Sequence, residues 1–268
     1  QKKSLSQIFL HSKLPVLHVI KILHNFGVKE VLEIGTGRGI LTIELLKNNF
    51  RVLAIEKDIR FYEFLKDKID NEYSMFKSNI DIISEDVLNF NFDSYINTHQ
   101  PNNFNVAIVG NIPYSISTQI LLKVLPYLSK ISCCVLMLQK EFAKRIVAKP
   151  SSKDYGSLSV FVQARAQVVM DCIISSRLFK PQPKVDSALV TFINKPDKED
   201  DLILNKLEQL TKLSFSQRRK TLKNALKKVL PNSSNFESIP IDLSKRAENL
   251  SYQEYILLVK YLIAQKLI

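Results

Sequence analysis

The sequence is poor in cysteine, in clustered metal ligands and in long apolar runs. It has three cysteines, two of them adjacent in an apolar segment, so it contains neither a disulfide framework nor a metal-ligand spacing. Its four histidines are not spaced with acids or cysteines as a metal site requires. No apolar run approaches the roughly 20 residues of a membrane span. We therefore expect a soluble protein without bound metal in a reducing compartment such as the cytoplasm.

Acidic residues are also scarce relative to basic ones. The chain has 38 Lys and Arg against 26 Asp and Glu, which gives a formal net charge of +12 and a pI of about 9.5. This charge favours a polyanionic partner, because lysine and arginine release counterions from phosphates. The alternative is that the charge only reflects a lysine-rich, AT-biased genome.

Short apolar runs alternate with segments of helical spacing from about residue 30 onward. The runs are too apolar to face water on either side, as in a parallel sheet that helices cover. The predicted strands are Glu30–Gly35, Val52–Glu56, Ile80–Glu85, Val106–Val109 and Cys133–Leu138. The predicted helices are Leu41–Asn48, Ile59–Ile69, Ser117–Leu128 and Lys140–Ala148. The pattern predicts an α/β fold with a Rossmann-like sheet.

The end of the chain has a different pattern. Two more predicted strands, Val168–Ser175 and Ser187–Ile193, are separated by the Pro-rich sequence FKPQPK and are expected to form an antiparallel hairpin. The charged sequence KPDKEDD follows at Lys195–Asp201, and all later apolar spacing is helical. We therefore predict a Rossmann-like domain over residues 1–194 and a small all-helical domain over residues 195–268.

Polar features follow three successive predicted strands. The first strand leads into GTGRG, whose glycines Gly35 and Gly37 let the backbone approach a ligand. Its third glycine falls one residue early for a dinucleotide fingerprint, which argues against a dehydrogenase. Glu56 ends the second strand and can accept two hydrogen bonds from a ribose diol, unless it is only a solvated strand-end acid. Asp86 follows the third strand and can accept the amine of adenine.

The fourth strand leads into Asn111, Ile112, Pro113 and Tyr114, here called the NIPY loop. Together with the three preceding features, this loop completes the layout of an S-adenosylmethionine pocket. The Asn111 side-chain oxygen and the Ile112 carbonyl can accept the two hydrogens of adenine N6, while Pro113 fixes the turn and Tyr114 stacks on the base. Such a stack is worth ~1–3 kcal/mol. The alternative is a strand-ending turn whose tyrosine belongs to the core.

Nearly the whole chain resembles the KsgA-type ribosomal RNA adenine dimethyltransferases, which are related to the Erm-type enzymes. The NIPY spelling is typical of Erm enzymes, whereas YGSLSV, VDSAL and QRRKTLKN favour the KsgA type. The resemblance lies in SQIFL (Ser6–Leu10), VLEIGTGRG, AIEKD, GNIPYSIST, Met137–Gln163, FKPQPKVDSALV (Phe179–Val190), FSQRRKTLKN (Phe215–Asn224) and RAEN (Arg246–Asn249).

The resemblance implies a cofactor, a substrate and a set of contacts. S-adenosylmethionine is expected to contact Ile8, Leu10, Gly35, Glu56, Asp86 and Asn111. The family usually has Asn or His where Ile8 stands, so a side-chain hydrogen bond is lost there. The implied substrate is a pair of adjacent adenosines in the 3′-terminal hairpin of small-subunit ribosomal RNA, each receiving two methyl groups from a monomeric enzyme. Alternatives are an Erm-like enzyme of large-subunit RNA and an RNA-binding assembly factor with secondary or lost catalysis.

Phe179 is a further candidate for the active site. It precedes KPQPK, whose prolines stiffen a segment that can return beside the NIPY loop. A second aromatic ring there would hold the target adenine against Tyr114. The alternative is that Phe179 is an apolar residue closing a strand.

A basic segment in the helical region is the candidate RNA contact. Between Gln209 and Phe236 there are seven basic residues and no acid. We predict a helix starting near Ser216 that presents cations on one face and buries Leu222, Ala225, Leu226 and Val229 on the other. The predicted phosphate ligands are Arg218, Arg219, Lys220, Lys223 and Lys227. A merely basic surface is the alternative.

Overall fold

Strands and helices alternate along most of the chain in the computed structural model, which describes residues 8–99, 105–197, 199–227 and 238–268. The strands are β1 (Phe9–Leu10), β2 (Glu30–Ile34), β3 (Arg51–Glu56), β4 (Ile80–Ser84), β5 (Val106–Asn111), β6 (Cys133–Gln139), β7 (Ala166–Ile174), β8 (Phe179–Lys180) and β9 (Ser187–Asn194). The α-helices are α1 (Leu14–Asn25), α2 (Ile40–Lys47), α3 (Ile59–Glu72), α4 (Phe92–His99), α5 (Ser117–Val124), α6 (Lys140–Val147), α7 (Ser157–Arg165), α8 (Asp201–Ser216), α9 (Leu222–Leu226) and α10 (Tyr252–Ala264).

The larger sheet has the strand order β4, β3, β2, β5, β6, β9, β7. The first five of these strands are parallel, and β9 runs antiparallel to β6. The direction of chain progression reverses between β2 and β5, which is the point where open α/β sheets bind ligands. The two strands approach closely there, since a Cβ on Gly110 would lie 2.8 Å from the Ile34 carbonyl oxygen. Glycine is therefore required beside the crevice.

The five predicted parallel strands are confirmed, with small differences at their ends. The central residues of β2, β3, β5 and β6 are buried on both faces, as the continuous apolar runs indicated, whereas β4 at the edge of the sheet buries only Ile80. The predicted helix Ser117–Leu128 is α-helical only to Val124 and continues as a 3-10 helix over Leu125–Lys130, because Pro126 cannot supply a helical N–H. The helices α1, α4 and α7 were not predicted. None of the helices in the described ranges is long and apolar enough to cross a membrane.

The smaller sheet is a ribbon of β1 and β8. The two strands are antiparallel, with Phe9 opposite Lys180 and Leu10 opposite Phe179. The His11 amide extends the pairing by donating a 3.0 Å hydrogen bond to the Leu178 carbonyl. The first two residues of FKPQPK therefore form a strand of their own, β8, in the smaller sheet. The predicted strands on either side of FKPQPK, β7 and β9, are neighbours in the larger sheet.

Two compact units divide the chain. One contains residues 1–143 and 169–194, and the other contains residues 144–168 and 195–268. This grouping differs from the predicted division at residue 194, because residues 144–168 belong to the second unit. The reason is the burial of Tyr155, Val160 and Ala164 in one core with apolar residues of α8 and α10. Helix α6 crosses from one unit to the other without a breaker, so the sequence gives no sign of this division.

Candidate active site

A cavity of about 390 Å³ lies in the first unit at the carboxyl edge of its parallel strands. Its walls come from β1, the glycine turn after β2, the ends of β3 and β4, and the loop after β5. Its volume is in the range of small-molecule sites. The cavity brings together the following predicted residues: Ile8, Leu10, Gly35, Gly37, Glu56, Asp86, Asn111, Ile112, Pro113 and Tyr114.

Glu56 is fixed by the glycine turn. Its Oε2 accepts hydrogen bonds from the Gly37 amide at 2.9 Å and the Thr36 hydroxyl at 3.3 Å, and its Oε1 accepts one from the Asp58 amide at 2.9 Å. Gly37 has φ +51°, and a Cβ there would lie 3.1 Å from the Phe9 ring. Glu56 is only 7% exposed, so it is not a solvated strand-end acid. These three hydrogen bonds use three of the about four acceptor positions of the Glu56 carboxylate. They fix the carboxylate and leave it able to accept a hydrogen bond from a ligand.

Asp86 carries a negative charge at another wall of the cavity. Its Oδ1 accepts a 3.0 Å hydrogen bond from the Leu88 amide, and its Oδ2 accepts one of 2.6 Å from the Lys57 ammonium group. The hydrogen bond from Lys57 lowers the pKa of Asp86 below its ordinary value. Asp86 is therefore an ionised acceptor at neutral pH. Lys57 was not predicted, although it stands in the AIEKD sequence that carries the resemblance.

Glu33 is a second buried acid that the sequence analysis missed. It lies on β2, lines the cavity and is 1% exposed. Its Oε2 has no hydrogen-bond partner among the described residues. Burial raises the pKa of Glu33 to about 8. An acid between the apolar residues Leu32 and Ile34 of the strand was the sign that could have identified it.

The NIPY loop lies at the end of β5. Asn111 is the last residue of the strand and stands opposite Met137 of β6. Pro113 has φ −60° and precedes a 3-10 helix over Tyr114–Ile116, where the Ile116 amide donates a 3.2 Å hydrogen bond to the Pro113 carbonyl. The four residues of the NIPY loop all line the cavity.

Tyr114 is held at the cavity wall through its hydroxyl group. The Tyr114 hydroxyl and Ser187 Oγ form a 2.6 Å hydrogen bond. The ring is half-buried, and burial raises the pKa of Tyr114 above its ordinary value, so the hydroxyl stays protonated. Tyr114 lines the cavity and is therefore not an ordinary core tyrosine.

The β1–β8 ribbon contributes β1 to the apolar wall of the cavity, whereas Phe179 of β8 does not line the cavity. Ile8, Phe9 and Leu10 line the cavity, and the Arg38 guanidinium lies 5.2 Å from the centre of the Phe9 ring. Phe179 stands opposite Leu10, is 1% exposed and belongs to the hydrophobic core. It is not among the residues that line the cavity. Its stacking role stays a prediction, and this placement fits the alternative of a core residue.

The predicted helix starting near Ser216 is wrong. Helix α8 ends at Ser216, a turn follows, and α9 contains only Leu222–Leu226. The break arises because the Leu222 and Lys223 amides donate to the Lys245 and Leu243 carbonyls, contacts that a continuous helix could not make. The predicted burial of Leu222, Ala225 and Leu226 is confirmed, whereas Val229 and the basic residue Lys228 lie outside the described residues.

The predicted phosphate ligands of this segment are all exposed, but one of them, Arg218, is engaged within the second unit. An Arg218 Nη atom donates 3.0 Å hydrogen bonds to the Tyr155 carbonyl and to the Glu248 carboxylate. Arg218 therefore joins the segment before α7 to the segment before α10. The other predicted phosphate ligands, all exposed, are Arg219, Lys220, Lys223 and Lys227.

The sheet order, the glycine turn and the two strand-end acids define a Rossmann-like methyltransferase. Two solved structures have this fold. A dimethyladenosine transferase from Plasmodium falciparum has a TM-score of 0.77 and 26% identity, and the match covers 97% of this chain and 98% of that one. The 23S rRNA methyltransferase ErmE has a TM-score of 0.68 and 23% identity, and the match covers 95% of this chain and 99% of that one. The chain belongs to the ribosomal RNA adenine dimethylase family, whose model matches residues 1–264.

Curated relatives cover almost the same length. The protein named ribosomal RNA small subunit methyltransferase A from Ehrlichia chaffeensis is 35% identical over 256 residues, 95% of this chain and 94% of its own length. A protein of the same name from Parabacteroides distasonis is 37% identical over 265 residues, 99% of this chain and 94% of its own length.

Proposed function

We propose that this chain uses S-adenosylmethionine to dimethylate N6 of two adjacent adenosines in the 3′-terminal hairpin of small-subunit ribosomal RNA during ribosome biogenesis. The observation that carries the proposal is the NIPY loop beside the glycine turn. A Cβ on Gly35 would lie 3.9 Å from the Asn111 carbonyl oxygen, and both residues line one cavity. An orienting amide and a stacking ring therefore lie next to a ligand-binding turn.

The cavity residues fit the proposed cofactor. Glu56 is a fixed carboxylate with remaining acceptor capacity, which suits the hydroxyls of a ribose. Asp86 is an ionised acceptor for an adenine amine. Its partner Lys57 is exposed, so its ammonium group can move away and leave Asp86 Oδ2 to the ligand. Gly35 and Gly37 leave backbone space on the turn, while Ile8 and Leu10 cover the cavity with apolar surface. Ile8 replaces a polar contact of the family by an apolar one.

The NIPY loop orients the target adenine. When bound, S-adenosylmethionine supplies a methyl group already activated by a sulfonium. Asn111 Oδ1 and the Ile112 carbonyl oxygen accept the two N6 hydrogens and favour the out-of-plane lone pair, and Tyr114 stacks on the base. The methyl group would pass to N6 as its bond to sulfur breaks, and the surplus N6 proton would pass to water. These residues therefore need no general base.

The small-subunit target is supported by the relatives. Proteins named ribosomal RNA small subunit methyltransferase A are 35% and 37% identical to this chain over nearly its full length. ErmE, named as a 23S rRNA methyltransferase, is 23% identical and shares the fold. The exposed cations Arg219, Lys220, Lys223 and Lys227 of the second unit are proposed to contact the RNA backbone.

A methylation assay tests the function. The purified chain is incubated with S-adenosylmethionine that carries a radioactive methyl group, together with either immature small ribosomal subunits or large-subunit RNA. We expect label on the small subunits. Label on large-subunit RNA alone would instead establish an Erm-like activity. Calorimetry with S-adenosylmethionine tests the alternative of an RNA-binding assembly factor, since such a factor need not bind the cofactor.

A further inference from the structure

Ser187 connects β9 to the NIPY loop, although the two are 73 residues apart in the chain. Its Oγ lies 2.6 Å from the Tyr114 hydroxyl oxygen. Ser187 is completely buried, whereas the Tyr114 ring is half-buried at the cavity wall. A buried hydroxyl group thus holds the far end of a side chain that lines the cavity.

The antiparallel direction of β9 explains how Ser187 reaches this place. β5 and β6 end at the carboxyl edge of the sheet, where Asn111 stands opposite Met137. Because β9 is antiparallel to β6, its first residue arrives at that edge, with Ser187 opposite Gln139. A parallel strand would begin at the opposite edge, far from the NIPY loop.

The backbone before Ser187 is held on both sides. Asp186 Oδ1 accepts a 3.1 Å hydrogen bond from the Ser176 amide, and Asp186 Oδ2 lies 3.2 Å from the Lys140 ammonium nitrogen. The Asp186 carbonyl also accepts a 3.0 Å hydrogen bond from the Lys140 amide. Ser187 therefore presents its hydroxyl from a fixed position.

We propose that Ser187 is a positioning residue for the methyl transfer, which acts by fixing the direction of the Tyr114 ring toward the target adenine. The Tyr114 hydroxyl lies on the axis of rotation of its own ring, so the hydrogen bond restrains χ1, and packing sets the plane of the ring. Without the bond, the ring can leave the stacking position by changing χ1. This proposal rests on the proposed function, because it assumes that Tyr114 stacks on adenine.

Three variants test the proposal: Ser187→Ala, Tyr114→Phe and the double variant. Each single variant removes the same hydrogen bond, and Tyr114→Phe keeps the ring. We expect kcat for RNA methylation to fall about tenfold in each single variant, the size of one neutral hydrogen bond. The double variant should have the same kcat as each single variant, because the first substitution already removes the hydrogen bond. The dissociation constant for S-adenosylmethionine should stay unchanged, since Ser187 does not line the cavity.

Thr191→Val is the matched control. It removes another buried hydroxyl from the same face of β9, one that donates to Asp171 at 2.7 Å rather than to the NIPY loop. It should lower the melting temperature without lowering kcat. An unchanged kcat in folded Ser187→Ala or in Tyr114→Phe would overturn the proposal, as would additive losses in the double variant. If Ser187→Ala does not fold, the kcat of Tyr114→Phe decides alone. A wild-type protein that transfers no methyl group would instead refute the proposed function.

Discussion

The amide nitrogen of Gly37 donates a 2.9 Å hydrogen bond to Oε2 of Glu56. This contact joins the turn after β2 to the end of β3, so a buried carboxylate and a left-handed glycine form one wall of the cavity. The carboxylate orders the turn, and the Gly37 amide and the Thr36 hydroxyl hold the carboxylate in place at the cavity. Glu56 and Gly37 therefore act as a unit.

Glu56→Ala should weaken S-adenosylmethionine binding about tenfold to a hundredfold. The estimate corresponds to the loss of one or two hydrogen bonds to a charged group. Isothermal titration calorimetry measures the dissociation constant, and Glu63→Ala, an exposed acid on α3, is the control. An affinity equal to that of the control would remove Glu56 from the cofactor site.

Asn111→Ala should lower kcat for methylation by at least ~10², the usual scale for the loss of one orienting group. The side chain lies at the cavity, whereas Asn105, just before β5, is exposed and serves as the control position for the same substitution. Single-turnover rates with saturating cofactor separate this effect from cofactor affinity. A rate near that of the wild type would show that another group orients N6.

Glu33→Gln should flatten the dependence of stability on pH. Glu33 has a pKa raised by burial to about 8 from its ordinary value near 4.5, so between these values the folded chain holds a proton that the unfolded chain has released. The contribution of Glu33 to stability therefore falls as pH rises through this window. Melting temperatures from pH 5 to pH 8 should fall less in the variant than in the wild type. Parallel curves would mean that Glu33 is ionised in the folded chain.

Phe179→Leu should lower stability by about 1–2 kcal/mol, because Phe179 is 1% exposed in the core. We expect kcat to stay within about threefold of the wild type, the small change expected of a packing defect that leaves the cavity wall in place. Chemical denaturation and methylation assays on the same preparation distinguish the two roles. A fall of kcat by ~10² at nearly unchanged stability would establish Phe179 as the second stacking residue.

Replacing Arg219, Lys220 and Lys223 together with Gln should weaken binding to small subunits and reduce its salt dependence. Each lost phosphate contact lowers the slope of log K against log salt by roughly one unit. The control replaces three exposed lysines of the first unit, Lys21, Lys29 and Lys66, and so removes the same charge. A slope equal to that of the control would show that this segment does not contact the RNA backbone.

The sequence predicted the parallel sheet and most of the cavity because these depend on local patterns. A strand buried on both faces is a continuous apolar run, and a turn residue after it lies at the carboxyl edge whichever strand is its neighbour. Glu56, Asp86 and Asn111 could therefore be placed in one site before their contacts were known.

Features that depend on distant contacts could not be read from local patterns. Ser187 reaches Tyr114 only because β9 is antiparallel to β6, and Phe179 is buried because β8 pairs with β1. The basic segment has helical spacing, but hydrogen bonds to Leu243 and Lys245 break it into a turn and a short helix. The spacing of residues along the sequence does not reveal these contacts.

Mass spectrometry of the methylated RNA tests the central claim most directly. Immature small subunits are incubated with S-adenosylmethionine and either the wild-type chain or Asn111→Ala, and RNase fragments are sequenced by mass. We expect N6,N6-dimethyladenosine at two adjacent positions of the 3′-terminal hairpin with the wild type, and little or none with the variant. Methylation at another base or atom, or equal dimethylation by both proteins, would contradict the claim.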